Sequence, residues 1–233
     1  MNKLQIPFFI IGVIFSTSYS SYAQDSLGRP AVTSEMKVYQ EQVAADPGKK
    51  MTELKTLIPE LVYDLRYASR NNFMHRFMYP KGTKTCFLRK TAAEALLKVQ
   101  RSLKEKGYGL KIFDGYRPYG VTVKFWELVK DERYVANPAK GSGHNRGIAV
   151  DLTIIDLKNG KELDMGTGFD NFTDTAHHGF RSLPADVLAN RALLRNTMEA
   201  AGFKALETEW WHYALPSGSS YELLDLPFKK LRK

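Results

Sequence analysis

Cysteine is almost absent from this chain. The single thiol, Cys86, excludes an intramolecular disulfide, so stability must come from packing, with help from a metal where one is bound. Between Thr85 and Phe87 it reads as a small buried hydrophobe rather than a nucleophile. Long apolar runs are equally scarce. One run, Ile6 to Phe15, is shorter than the about 20 residues a membrane-spanning helix needs, and no other stretch approaches that length. No glycine-rich phosphate loop follows a strand, no nucleic-acid-binding module is recognisable, and there is no internal repeat or low-complexity tract. Acidic residues are missing from the first 23 positions, where Lys3, the apolar run and the small-residue exit Ser21-Tyr22-Ala23 read as an export signal cleaved after Ala23. A lipid anchor would need a cysteine at that point.

Lys3 is the only charge in this segment, so its removal lowers the formal net charge from +9 to +8 and leaves about 210 residues. That length suits one domain with a full core. The mature chain is expected to be periplasmic or secreted, with no transmembrane anchor. Its basic residues are spread out, with short clusters at Lys49-Lys50 and Lys229-Lys230-Leu231-Arg232-Lys233. In an exported protein such a charge favours cell-wall polymer or anionic lipid as surroundings, and no nucleic-acid partner is expected.

Residues 24–50 are polar, contain Pro30, Pro47 and Gly48, and read as a leader or linker; the folded domain is expected over 51–233. Leu61–Tyr67 is rich in strand formers. Ala92, Ala95, Leu96, Val99 and Leu103 recur at helical spacing and Gly107 stops that helix. A strand over Leu110–Asp114, a helix over Val121–Lys130, a β-branched strand over Ile148–Ile155, a helix from Pro184 to Gly202 and a last strand over Glu209–Leu215 follow. The interleaving is irregular, which predicts an α+β fold: a central, mostly antiparallel sheet with helices packed to one side.

Two segments carry the features of a metal site, Ser142-Gly143-His144 through Asp151 and Glu209-Trp210-Trp211-His212. Two imidazoles and one carboxylate are a usual ligand set for catalytic zinc, leaving one acid to handle protons. On a strand from Ile148, the side chains of Ile148, Val150, Leu152 and Ile154 face a core, while Ala149, Asp151 and Thr153 share the other face. His144 precedes it in a glycine-rich loop that can fold back towards Asp151. Taken singly these are weak signals: a loop histidine is usually a surface one. Glu209 and His212, three apart, would point to opposite faces of a regular strand, so both reach one metal only if the chain bulges at Trp210-Trp211.

The arrangement Ser-x-His-x6-Asp followed by Glu-x-Trp-His resembles the D-Ala-D-Ala dipeptidases and the wider family of zinc D,D-carboxypeptidases and hedgehog-type domains. Further matches occur in family order over about residues 55–215: Asp64-Leu65-Arg66-Tyr67-Ala68 with Asn71-Asn72-Phe73, Asp114-Gly115-Tyr116-Arg117-Pro118, and Met165-Gly166-Thr167-Gly168-Phe169-Asp170 with His177-His178. The resemblance implies one zinc per chain on His144, Asp151 and His212, with Glu209 as general base and acid and Arg117 stabilising charge on the attacked carbonyl. It makes Asp170, Ser142, Tyr67 and Asp114 substrate contacts. The implied reaction is zinc-dependent hydrolysis of D-alanyl-D-alanine, with peptidoglycan fragments as further substrates. Plainer roles stay open: an Arg117–Asp114 ion pair, a turn cap for Asp170, and a supporting role for His177-His178. Met74-His75-Arg76 departs from the pattern, where relatives more often carry a small residue and glycine. Two rival readings share the fold. A carboxypeptidase would trim longer wall peptides, and a catalytically silent wall-binding domain would lack the proton handler that Glu209 supplies.

Overall fold

The computed structural model describes residues 30–216 and 220–232; the expected export signal lies outside them. Nine strands and seven helices follow one another among these residues: β1 Val32–Thr33, α1 Met36–Ala45, β2 Met51–Glu53, α2 Leu54–Leu57, β3 Val62–Tyr63, β4 Phe87–Arg89, α3 Lys90–Lys104, β5 Tyr108–Asp114, α4 Tyr119–Leu128, α5 Gly143–Arg146, β6 Ala149–Asp156, α6 Ala185–Ala200, β7 Lys204–Leu206, β8 Glu209–Ala214, β9 Leu223–Leu224 and α7 Phe228–Leu231. Single 3-10 turns stand at Pro47–Lys49, Arg66–Ala68 and Asp174–Ala176.

The main sheet has the order β3-β5-β6-β8-β7. Only the β3–β5 pair is parallel, and the other three pairs are antiparallel. This is the mostly antiparallel sheet that the sequence predicts. Helices α3 and α6 pack on one another and against the sheet, α3 on β5 and α6 on β7 and β8. The periodicity of α3 explains its seat: Ala92, Leu96, Val99 and Leu103 are buried beside Leu110, Ile112, Val150, Leu152 and Ile154, each large aliphatic contributing about 1.5–3 kcal/mol of burial. Gly107, at φ 82°, turns the chain out of the helix into β5, a left-handed conformation that costs glycine nothing.

A second core, rich in aromatic residues, joins Tyr67, Tyr79, Phe87, Tyr116 and Phe125 to the carboxyl-terminal Leu224, Leu226 and Phe228. It differs from the sequence reading at both ends of the chain. Residues 32–49 form β1, α1 and a turn instead of a linker: β1 pairs in parallel with β9, and the Tyr39 hydroxyl accepts from the Met51 amide at 2.6 Å. Glu209–Ala214 is not the last strand, because β9 follows it. The strand expected over Leu61–Tyr67 shrinks to Val62–Tyr63 before Arg66–Ala68 turns.

Candidate metal centre

Strand pairing brings the candidate ligands together. Asp151 of β6 lies opposite His212 of β8 and, on its other side, opposite Asp114 of β5. Three neighbouring strands thus present Asp114, Asp151 and His212 in one row. His144 sits on the short helix α5, whose amino end Ser142 caps: the Ser142 hydroxyl accepts from the His144 amide and the Asn145 side chain accepts from the Ser142 amide. Gly147, at φ 71°, closes α5 and returns the chain to β6. The bulge needed by Glu209 and His212 is present. In the β7–β8 pairing, Ala205 faces Tyr213 while the next residue, Leu206, faces Glu209, so the extra residues of β8 turn Glu209, Trp211 and His212 into one cavity.

His144 Nε2 lies 3.2 Å from His212 Nδ1 and 3.3 Å from an Asp151 oxygen, and His212 Nδ1 is 2.9 Å from the other Asp151 oxygen. Three donors aimed at each other at this spacing fit a shared cation, since ligand bonds of about 2.0–2.2 Å in a tetrahedron put ligand atoms about 3.3–3.6 Å apart. The supporting contacts suit ligation. His144 Nδ1 meets the Gly115 carbonyl at 2.7 Å, so the proton belongs there and the Nε2 lone pair is free. Burial holds the His212 pKa below its ordinary value, the neutral imidazole a metal needs. Burial opposes ionisation of Asp151, yet His144 and His212 hold its carboxyl well below the ordinary range.

Around these donors stand the other residues named from the sequence. Glu209 is buried beside His212, with Oε2 3.9 Å from Nδ1. Burial, then the charges of Asp151 and Asp170, push its pKa well above the carboxylate range. Arg117 lies between the rings of Phe125 and Tyr67, its guanidinium carbon 4.7 and 5.0 Å from their centroids, and Nη2 is 3.8 Å from Asp151. Both Asp114 oxygens are engaged: one accepts from Arg117 Nε at 3.0 Å and Nη2 at 2.8 Å, the other from the Tyr79 hydroxyl at 2.6 Å. Asp114 is buried and does not line the cavity. Its contacts in the structure are with Arg117 and Tyr79, and they orient the Arg117 guanidinium. Tyr79 escaped the sequence reading, and nothing in its local pattern marks it.

Asp170 sits across the cavity. Its oxygens accept from the Tyr67 hydroxyl at 3.0 Å and the Phe73 amide at 3.4 Å, and burial, reinforced by Asp151, pushes its carboxyl up to about 7. It holds φ 60°, a left-handed conformation that few residues other than glycine, asparagine and aspartate tolerate. The cavity measures about 220 Å³, below the roughly 300–1,000 Å³ of sites for drug-sized ligands. Phe73, Phe125, Tyr134, Phe172 and Trp211 wall it, and Ser142 lines it. Tyr134 and Phe172 stack at 4.9 Å, and the Arg133 carbonyl accepts from Thr208 Oγ1, which pins the 131–141 segment to the edge of the site. His75 takes φ 53°, in the left-handed region that favours glycine. It is exposed and outside the cavity, as is Arg76, whereas Met74 is buried in the cluster that holds the cavity residues Tyr67 and Phe125. His177 and His178 are also outside the ligand set.

A two-histidine, one-aspartate cluster with a glutamate and an arginine beside it, in a cavity of this size, suits a metal-dependent hydrolase. The family assignment comes from comparison with known proteins. The profile of peptidase family M15, described as D-ala-D-ala dipeptidase, matches residues 48–230, and the chain belongs to that metallopeptidase family. The D-alanyl-D-alanine dipeptidase of Escherichia coli (strain K12) is 37% identical over 175 residues, covering 75% of this chain and 89% of that one. The enzyme of the same name from Enterococcus faecium is 32% identical over 199 residues, covering 76% and 98%. Among solved structures, the LdcB LD-carboxypeptidase overlaps 57% of this chain and 62% of its own at 25% identity and a TM-score of 0.37. VanYB in complex with D-Alanine-D-Alanine overlaps 59% and 76% at 15% identity and a TM-score of 0.39.

Proposed function

We propose that the protein hydrolyses D-alanyl-D-alanine to two molecules of D-alanine, with zinc held by His144, Asp151 and His212. The observation that carries the reading is a complete set of hydrolytic groups around a cavity of about 220 Å³ that aromatic rings help to line. Zinc, when bound, supplies a Lewis acid that brings the pKa of water towards neutrality, polarises the scissile carbonyl and counters the charge of Asp151. Glu209 takes a proton from the attacking water as the new C–O bond forms. It then gives that proton to the leaving nitrogen as the C–N bond breaks. Its burial favours the protonated form needed for the second half of that cycle, and the charge of zinc, when bound, would favour the carboxylate needed for the first. Arg117, held in place by Asp114 and Tyr79, meets the negative charge that develops on the carbonyl oxygen, an interaction of a type typically worth about 3 kcal/mol. The Ser142 hydroxyl accepts from the His144 amide, and its single proton is left to donate to the substrate.

Asp170 and Tyr67 recognise the free ammonium of the dipeptide. A buried carboxylate facing an ammonium gains a charge-assisted hydrogen bond, and an acylated nitrogen leaves that charge unpaired. The export signal read over residues 1–23 supports an enzyme that meets wall-derived peptides outside the cytoplasm. Release of free D-alanine from D-Ala-D-Ala by the purified mature chain, compared with its N-acetyl form, tests the reading. The free dipeptide is expected to be cleaved at least about 100-fold faster by kcat/KM, from roughly 3 kcal/mol for one lost charge-assisted contact. Equal rates would overturn the dipeptidase assignment in favour of a D,D-carboxypeptidase.

A further inference from the structure

Although the basic residues are spread along the chain, two segments carry them without any acid. Residues 77–90 and 226–233 each hold four lysine or arginine residues and no acid, against a net charge of +9 for the whole. The fold joins these two segments. Phe228 of α7 packs on Tyr79 and Phe87, with ring centroids 4.8 and 6.3 Å apart, and Arg232 Nη2 reaches Thr85 Oγ1 at 3.4 Å. Phe228 and Leu231 are buried, so Lys229 and Lys230 between them are turned outward.

Lys81, Lys84, Lys229, Lys230 and Arg232 are all exposed, and none makes an ion pair among the described residues. Two clefts border the group. One, of about 680 Å³, runs between Lys50, Lys90 and Arg232; the other, of about 390 Å³, lies between Lys55 and Lys84. The acids in them are already engaged: Glu94 with Lys90 at 3.8 Å, Asp64 with Arg66 at 2.8 Å, and Glu53 with the Tyr63 hydroxyl at 2.9 Å. The exposed cations therefore face solvent without internal neutralisation.

We propose that this face docks a linear polyanion, a chain with repeating phosphate groups, and holds the enzyme on it while the catalytic cavity stays open. None of the five cations lines that cavity. A polymer is favoured over a lipid surface because α7 turns its apolar residues into the core, leaving no apolar face to enter a bilayer. Phe77, 41% exposed at the head of the first segment, is the one ring available there. Binding of this kind works through release of counterions, so it weakens steeply with salt.

The test uses the mature chain and long-chain polyphosphate, with vesicles of anionic lipid as a second arm. Saturable binding to polyphosphate at 50 mM salt is expected to weaken at least tenfold at 200 mM, as expected when several anionic groups are neutralised. The triple variant Lys84→Glu, Lys229→Glu, Lys230→Glu should bind at least tenfold more weakly while keeping wild-type turnover of D-Ala-D-Ala, which reports its folding. A charge-matched control, Lys98→Glu, Lys124→Glu, Lys158→Glu, should retain binding. An equal loss in the control would reduce the effect to net charge and overturn the docking face. So would absence of polyphosphate binding, or binding to vesicles without binding to the polymer.

Discussion

Replacing Asp170 with asparagine should remove the preference for a free amino terminus and little else. The choice of asparagine follows from the backbone. At φ 60° an alanine would add left-handed strain of about 1–3 kcal/mol, whereas asparagine tolerates that conformation and still offers an oxygen to the Tyr67 hydroxyl 3.0 Å away. What is lost is the charge facing the substrate's ammonium. A hydrogen bond to a charged group contributes about 1.5–3 kcal/mol, which is about ten- to 150-fold in kcat/KM. Asp170 is largely buried among aromatic rings, with Phe73, Phe125 and Phe172 lining the same cavity, so the upper part of that range applies. Measured by D-alanine release, kcat/KM for D-Ala-D-Ala should fall about 100-fold while that for N-acetyl-D-Ala-D-Ala stays within about threefold, so their ratio collapses. The wild type should also bind the free dipeptide better as pH rises through about 7, where the raised Asp170 carboxyl ionises; the variant should lack that rise. An unchanged ratio between the two substrates in Asp170→Asn would refute the ammonium role.

Other perturbations have separate readouts. Glu209→Ala should keep its zinc, because Glu209 is not a ligand, and lose about 100- to 10,000-fold in kcat; activity near wild type with metal content confirmed would remove the proton-transfer role. Thr167→Val breaks the bond that Thr167 Oγ1 accepts from the Trp210 indole at 2.8 Å, which ties the Asp170 loop to the strand carrying Glu209. A loss of about 1 kcal/mol should appear as a roughly fivefold higher KM for the free dipeptide with kcat nearly unchanged, and an effect on kcat alone would count against it. His178 is buried, its Nε2 meets no hydrogen-bond partner among the described residues, and burial lowers its pKa from 6.5 to about 4. The folded state therefore binds fewer protons than the unfolded one between those values. Its stabilisation is full above pH 6.5 and is lost as pH falls towards 4, a change of about 3 kcal/mol. Denaturant unfolding of His178→Phe should show a flatter dependence over that window, and an undiminished slope would place its origin elsewhere.

The parts of this molecule legible in the sequence are those where local pattern and chemistry coincide. Helix α3 declares itself through Ala92, Leu96, Val99 and Leu103, and β6 through its β-branched run. The convergence of His144, Asp151 and His212 could be anticipated because they stand at family spacing, and the bulge in β8 could be demanded because Glu209 and His212 are three apart. Elements that exist only by long-range contact left no such trace. Strands β1 and β9 are two residues each, too short for periodicity, and they find one another across most of the chain. The polar composition of residues 32–49 points to a linker because their order comes from Tyr39, Gln42 and Lys49 meeting Met51, Thr33 and Glu222. Tyr79 is silent for a similar reason: it matters through one hydroxyl 35 residues from Asp114. The motif naming Asp114 could not say whether it faces substrate or Arg117. Strand register and burial set it against Arg117.

The central claim is that one zinc on His144, Asp151 and His212 works with Glu209 to cleave D-Ala-D-Ala. Its most direct test is titration of metal-free protein with zinc while D-alanine release and bound metal are followed together. Turnover should rise from background in proportion to bound zinc and level off at one zinc per chain, and Glu209→Ala should take up the same single zinc without gaining turnover. Hydrolysis at full rate by the metal-free chain, or saturating zinc uptake that brings no D-alanine release in the wild type, would contradict the account.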